Sequence, residues 1–276
     1  MSMRAIAPVL AGLATACSLR AQVERVGSPR PFPFGVTETV RSKDLGEYRE
    51  INIHLPHAYA LDTAARFPVI YLLDGSADED FVHVAGASQF AAFPWVDWMP
   101  SSIVVGIANV DRKRDLTFPT TIAKDKADFP TTGGSAAFMR FIGDELVPFI
   151  DSAYRTNKDR MLIGQSLGGL FATEVLFTRP SMFNRYLIVS PSLWWDNESL
   201  LARPPAFASA KPASVFVAYG KEGKVMEGDA RRLAALLRSK GVPTGSVRLK
   251  ALDHATIMHQ AVMDGFRWMS FERAGR

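Results

Sequence analysis

The period of the apolar positions changes in a regular order along the chain. Val36 to Val40 and Tyr48 to Leu55 predict strands, the second setting Ile51, Ile53 and Leu55 against Asn52 and His54. Phe67 to Leu73 and Ser102 to Ala108 are instead continuous apolar runs of strand length, the pattern of parallel strands buried on both faces. Between Ser135 and Ile150 the apolar residues Phe138, Phe141, Ile142, Leu146 and Phe149 recur at helical spacing. The expected series continues with a strand Arg160 to Ile163 and a helix from Ser166 to Thr178 stopped by Pro180, then the strands Tyr186 to Val189 and Ser214 to Tyr219. A helix Glu227 to Lys240 ended by Gly241, a strand Val247 to Leu252 and a closing helix from Thr256 complete it. Strands alternating with helices predict an α/β domain, a mostly parallel twisted sheet with helices on both faces. No repeat, low-complexity tract or linker divides residues 22–276, which read as one domain.

The first 21 residues differ. Arg4 is a positive n-region, Ala5 to Ala16 a stretch of small apolar residues, and Leu19-Arg20-Ala21 a cleavage site before Gln22, so residues 1–21 read as a secretory signal peptide. The run is short of the about 20 residues a bilayer span needs. Lipid attachment at Cys17, after Ala14-Thr15-Ala16, and a cytosolic N-terminus are the rival readings. Val23 to Pro33 is Pro-rich and reads as an extended arm. Composition excludes other classes: 20 Gly, 17 Pro and one Cys among 276 residues rule out collagen-like and disulfide-framework chains. A net charge of +4 without any block of five like charges lends nucleic-acid binding no support.

Chemistry concentrates in Gly164-Gln165-Ser166-Leu167-Gly168-Gly169. A bare G-x-S-x-G arises by accident in roughly one chain in ten of this length, but here a buried strand ends at Gly164 and a helix-compatible segment starts at Ser166. That is the strand–turn–helix setting of a nucleophile elbow, whose tight turn demands small residues at Gly164 and Gly168. The backbone N–H of Leu167 then points at a developing oxyanion, and the second donor falls to Ser76 in Asp74-Gly75-Ser76-Ala77, the loop after a central strand. A serine at its free pKa needs a base. His254, just after the last predicted strand, lies where the Ser, acid, His chain order requires one; His259 reads as a capping or core residue, and His54 and His57 as solvated surface residues. The acid must lie between Ser166 and His254, and Glu222 is the nearest carboxylate after the strand ending at Tyr219. Asp229, Asp196 and no acid at all remain alternatives. One Cys and these His spacings give no metal site.

Residues 36 to the C-terminus resemble the esterase family of α/β-hydrolases that includes siderophore trilactone esterases, with esterase D and feruloyl esterases as distant relatives. The resemblance runs through Pro68-Val-Ile-Tyr-Leu-Leu-Asp74-Gly75, Val105 to Thr117, Gly133-Gly134-Ser135, Asp144 to Asp151, the elbow, Ser190-Pro-Ser-Leu-Trp194-Trp195-Asp196 and the His254 segment. Gln165 replaces the more usual His before the nucleophile, Phe118 interrupts a Thr-Pro pair, and Ala-Thr follows His254 in place of Gly-Ser. The resemblance implies an α/β-hydrolase fold and an exported, cofactor-independent serine ester hydrolase acting on a small-molecule ester, with no nucleic-acid partner and no membrane span. It also implies that a Ser–His dyad can suffice. Arg114, Trp194 and Trp195 near the predicted mouth then suggest an aryl-binding wall with a cationic patch for an acidic or catecholate ester; alternatively the Trp pair packs the rim and Arg114 pairs with Asp115. Acyl transfer to a sugar or alcohol on the same fold, and a non-catalytic binding protein that has kept the elbow, are the competing functions.

Overall fold

The computed structural model describes residues 26–203, 205, 207 and 211–274, so the expected signal peptide and Cys17 lie outside the described residues. Residues 26–33 belong to a unit of their own. They carry neither helix nor strand, with Val26 and Phe32 exposed.

From Phe34 onward eight strands form one sheet: β1 (Val36–Arg41), β2 (Tyr48–His54), β3 (Phe67–Leu72), β4 (Ile103–Ile107), β5 (Thr156–Gln165), β6 (Arg185–Val189), β7 (Ser214–Tyr219) and β8 (Thr244–Arg248). Their order is β1-β2-β4-β3-β5-β6-β7-β8. β1 pairs with β2, and β2 with β4, antiparallel; every later pairing is parallel. The continuous apolar runs are those central parallel strands, and their side chains alternate between two cores. Val69, Tyr71, Leu162, Tyr186, Ile188, Val215 and Val217 face one side. Ile70, Leu72, Met161, Ile163, Leu187, Val189 and Phe216 face the other.

Helices cover both faces, as the alternating pattern predicts. α1 (Phe81–Ala91) and α6 (Met258–Ala274) pack on the second face; on the first lie α2 (Ser135–Arg140), α3 (Val147–Ala153), α4 (Leu167–Thr178) and α5 (Gly223–Ser239). The expected helix from Ser135 to Ile150 is present but continues through a π-helical turn, Phe141–Leu146, between α2 and α3. This is an α/β-hydrolase fold.

One strand is displaced from its expectation. The alternation from Val247 to Leu252 predicts the last strand there, yet β8 is Thr244–Arg248, paired from Val215↔Thr244 to Tyr219↔Arg248. Its start is polar and small because a Cβ at Gly245 would come within 2.6 Å of the Trp268 ring, so α6 itself demands a bare backbone at that point. Leu252 instead belongs to a turn in which its N–H bonds Leu249 O.

α4 buries nearly every side chain, Glu174 included. Burial pushes the Glu174 carboxyl up to about 7, with Ser135 and Arg203 pulling the other way. The folded chain therefore holds this proton through an interval where the unfolded chain has released it, and stability falls as pH rises from about 4.5 to about 7. Glu174→Gln is expected to raise stability by about 2–3 kcal/mol at pH 8 and to leave it unchanged at pH 4. Urea denaturation at both pH values checks this; a gain independent of pH would contradict it.

Candidate active site

β5 ends at Gln165 and α4 begins at Leu167, so Ser166 alone makes the turn, with φ 61 and ψ −120. This is a left-handed conformation that a residue with a side chain rarely adopts. Ser166 N–H donates to Val189 O (3.0 Å), and its own carbonyl accepts from Ser192 N–H (3.0 Å), clamping the turn against the end of β6. As the first residue of α4, Leu167 carries an N–H with no intrahelical acceptor. The space around the turn differs from the sequence expectation. A Cβ at Gly164 would meet Gly168 O at 2.4 Å, but one at Gly168 would make only ordinary contacts from 3.4 Å outward, and the second tight position is Gly169, where a Cβ would sit 2.9 Å from Pro191 Cα.

His254 lies in the loop between β8 and α6 and is held from several sides. Its Nδ1 lies 3.2 Å from Glu222 Oε1, and its carbonyl accepts from Gln165 Nε2 at 2.6 Å. Thus the residue that departs from the resembled pattern, Gln165, ties the end of β5 to the histidine loop. Lys221 N–H donates to Leu252 O at 2.7 Å, drawing the end of β7 against the same loop. Asp253 Oδ1 accepts from the N–H groups of Ala255 and Thr256 and from the Thr256 hydroxyl, which folds the loop into a turn. The Glu222 side chain is 1% exposed, that of His254 43%. Glu222 Oε1 also accepts from Ser190 Oγ at 2.5 Å, a contact with no signal in the sequence. Both alternative acids are engaged elsewhere. Asp229 pairs with Arg232; Asp196 accepts from Thr120 Oγ1, Thr121 N and Thr121 Oγ1, donors that hold it below the usual carboxylate range despite burial.

Ser166 and His254 line one open cleft of about 410 Å³ together with Asp74, Glu79, Asp80, Arg112, Gln165, Ala255 and Met258. The Ser166 hydroxyl shares a 3.3 Å contact with Ser192 Oγ. Ser76 stands on the adjoining loop, where its N–H donates to Glu79 Oε2 at 3.4 Å. Three residues expected at the mouth are not among those lining the cleft. Trp195 is fully buried, its Nε1 donating to Phe118 O at 2.9 Å, and Trp194 is half-buried with its ring near Phe129. Arg114 is tied to Asp115 and Glu47, which hold its guanidinium above its ordinary pKa. The rim-packing and internal ion-pair alternatives describe these residues; burial of Asp115 against Arg49 is what captures Arg114. The cation that does reach the cleft is Arg112, two positions earlier, bound through Nε and Nη2 to Asp74 (2.6 and 2.8 Å).

A protein-family profile described as "Putative esterase" matches residues 42–244. The chain belongs to this esterase family. Among curated proteins, the esterase is 28% identical to the ferri-bacillibactin esterase BesA of Bacillus subtilis over 267 residues, 88% of this chain and 92% of that one. It is 31% identical to the siderophore triacetylfusarinine C esterase of Aspergillus fumigatus over 205 residues, 67% of this chain and 66% of that one. Among solved structures, an IroE-like serine hydrolase from Shewanella oneidensis superposes with a TM-score of 0.75 at 30% identity, covering 85% of this chain and 79% of that one. The esterase is a carboxylic ester hydrolase.

The glycine contacts at the elbow yield a direct test. Gly164→Ala is expected to lower stability by about 1–3 kcal/mol, because the opposing atom is backbone and cannot give way. Gly168→Ala, at an ordinary-contact position within α4, should stay within about 1 kcal/mol of wild type. Denaturant titration of the two variants distinguishes them, and equal losses would contradict the assignment.

Proposed function

We propose that the esterase works through an acyl-enzyme formed on Ser166. The observation that carries this reading is the placement of Ser166 and His254 on one cleft, with the buried Glu222 carboxylate on His254 Nδ1. Ser166 Oγ exchanges Ser192 for His254 Nε2, gives up its proton to that nitrogen and forms a bond to the ester carbonyl carbon; the carbonyl π electrons move to oxygen. The N–H of Leu167 holds that oxyanion, and the N–H of Ser76, which donates to Glu79 Oε2 in the free site, turns to it as the second donor. Collapse expels the alkoxide or phenoxide, which takes the proton from His254, and a water deprotonated by the same nitrogen then releases the acid and restores Ser166. Glu222 holds Nδ1 protonated and stabilises the imidazolium, and Ser190 and Gln165 position Glu222 and the histidine loop.

The substrate class is a small or aryl ester, with siderophore-type lactones as the leading candidates because relatives that cover most of the chain are siderophore esterases by name. Arg4 and the small apolar run to Ala16 support export, and among the described residues no helix is long and apolar enough to cross a membrane.

A fluorophosphonate probe is expected to label the wild-type chain and to fail on Ser166→Ala; persistent labelling would move the nucleophile. Glu222→Gln should lower kcat by about 10²–10⁴-fold with little change in KM, the signature of lost transition-state stabilisation. Turnover close to wild type would favour a Ser–His dyad. Exported protein should begin at or near Gln22, and an intact Met1 or a diacylglycerol on Cys17 would overturn that reading.

A further inference from the structure

The cleft carries a charge opposite to that of the chain around it. The chain has a formal net charge of +4, but the described residues lining the cleft include three carboxylates, Asp74, Glu79 and Asp80, against one guanidinium, Arg112. That guanidinium is already committed. Its Nε and Nη2 form a bidentate pair with Asp74, and Nη2 also lies 3.5 Å from Gln165 O, so the Nε–Nη2 edge of the guanidinium is occupied from within the protein. Asn109 Nδ2, which donates to Asp74 Oδ1 and also lies within 3.3 Å of both Glu79 oxygens, holds the acids together. Burial, and after it the neighbouring Asp74 and Glu79, raise the Asp80 carboxyl, the expected effect of like charges crowded at a partly desolvated wall. Arg112 pairs with Asp74 and also attracts Glu79 and Asp80, so three carboxylates of the cleft wall share one guanidinium.

We infer that this cleft selects its ester by charge, accepting neutral or cationic acyl and alcohol groups and rejecting polyanionic ones. The site itself is defined by Ser166 and His254; the carboxylates set its sign. Glu79 is the specificity-determining residue, since it is exposed, lines the cleft together with Ser166, and accepts from Ser76 N–H through Oε2. Like-charge juxtaposition excludes a partner more effectively than opposite charge retains one.

This inference rests on the serine-esterase reading, and one experiment separates the two. Three aryl acetates with the same leaving-group pKa, bearing a neutral, a carboxylate or a trimethylammonium substituent, are compared by kcat/KM at 20 mM and 500 mM NaCl. The anionic ester is expected to be at least about tenfold poorer than the neutral one at low salt, the cationic ester equal or better, and the spread to shrink at high salt as screening shortens to about 3–5 Å. Glu79→Gln, which keeps an acceptor for Ser76 N–H, should raise the anionic-to-neutral ratio at least fivefold, and Glu79→Lys further. A residue that merely supports the loop would change both rates together and leave the ratio fixed. An anionic ester turned over as well as the neutral one, or a ratio unmoved by both Glu79 variants, overturns the inference; hydrolysis of none of the three together with no fluorophosphonate labelling of Ser166 overturns the serine-esterase reading instead.

Discussion

A buried carboxylate calls for hydrogen-bond donors, and Glu222 draws them to its Oε1 at the point where three loops end. Its Oε1 takes Ser190 Oγ from the end of β6 and faces His254 Nδ1 from the loop after β8, while Glu222 itself follows β7. Removing such a group from water without partners costs several kcal/mol, so these loop ends cannot drift independently. Ser190 has φ 44, a strained backbone at the point where its hydroxyl meets Glu222. Gln165 extends the linkage to β5 through the His254 carbonyl. The histidine is thus positioned by its neighbours' hydrogen bonds while its ring remains open to the cleft.

The elbow works on the same principle with sterics in place of charge. Parallel strands end in register at one edge of the sheet, and the chain must reverse there within a single residue. Ser166 takes a left-handed backbone, and Gly164 and Gly169 let the helix and the end of β6 approach closer than any Cβ would permit. Strain and close packing place the serine oxygen at the edge, and the unpaired N–H at the start of α4 comes with it.

On the other side of the cleft, a second electrostatic cluster decides which arginine can meet a substrate. Arg49 is fully buried on β2 and pairs with Asp115 and Glu47, which in turn bind Arg114. That network uses the charges of the short helix Arg112–Asp115 that point inward, leaving Arg112 at the cleft, where Asp74 captures it. The wall that results is acidic although the sequence at this point is among the most basic in the chain.

Much of this was legible from the residues alone, because it depends on periods two and 3.6 and on local order. Continuous apolar runs specified buried parallel strands, a glycine-flanked serine between a strand and a helix specified the elbow, and chain order led to Glu222 and His254. Other features depended on what stands across from a residue, which no local pattern encodes. β8 began three residues before its expected start because Trp268 requires a glycine beneath it. Gly169 replaced Gly168 as the tight position because Pro191 lies against it. Trp195 went inside, and Arg112 rather than Arg114 faced the cleft, because the buried partners Phe118 and Asp115 come from distant packing. Periodicity fixes which side of an element is buried; only the assembled sheet decides which charges and backbones meet there, since those contacts join segments far apart in the chain.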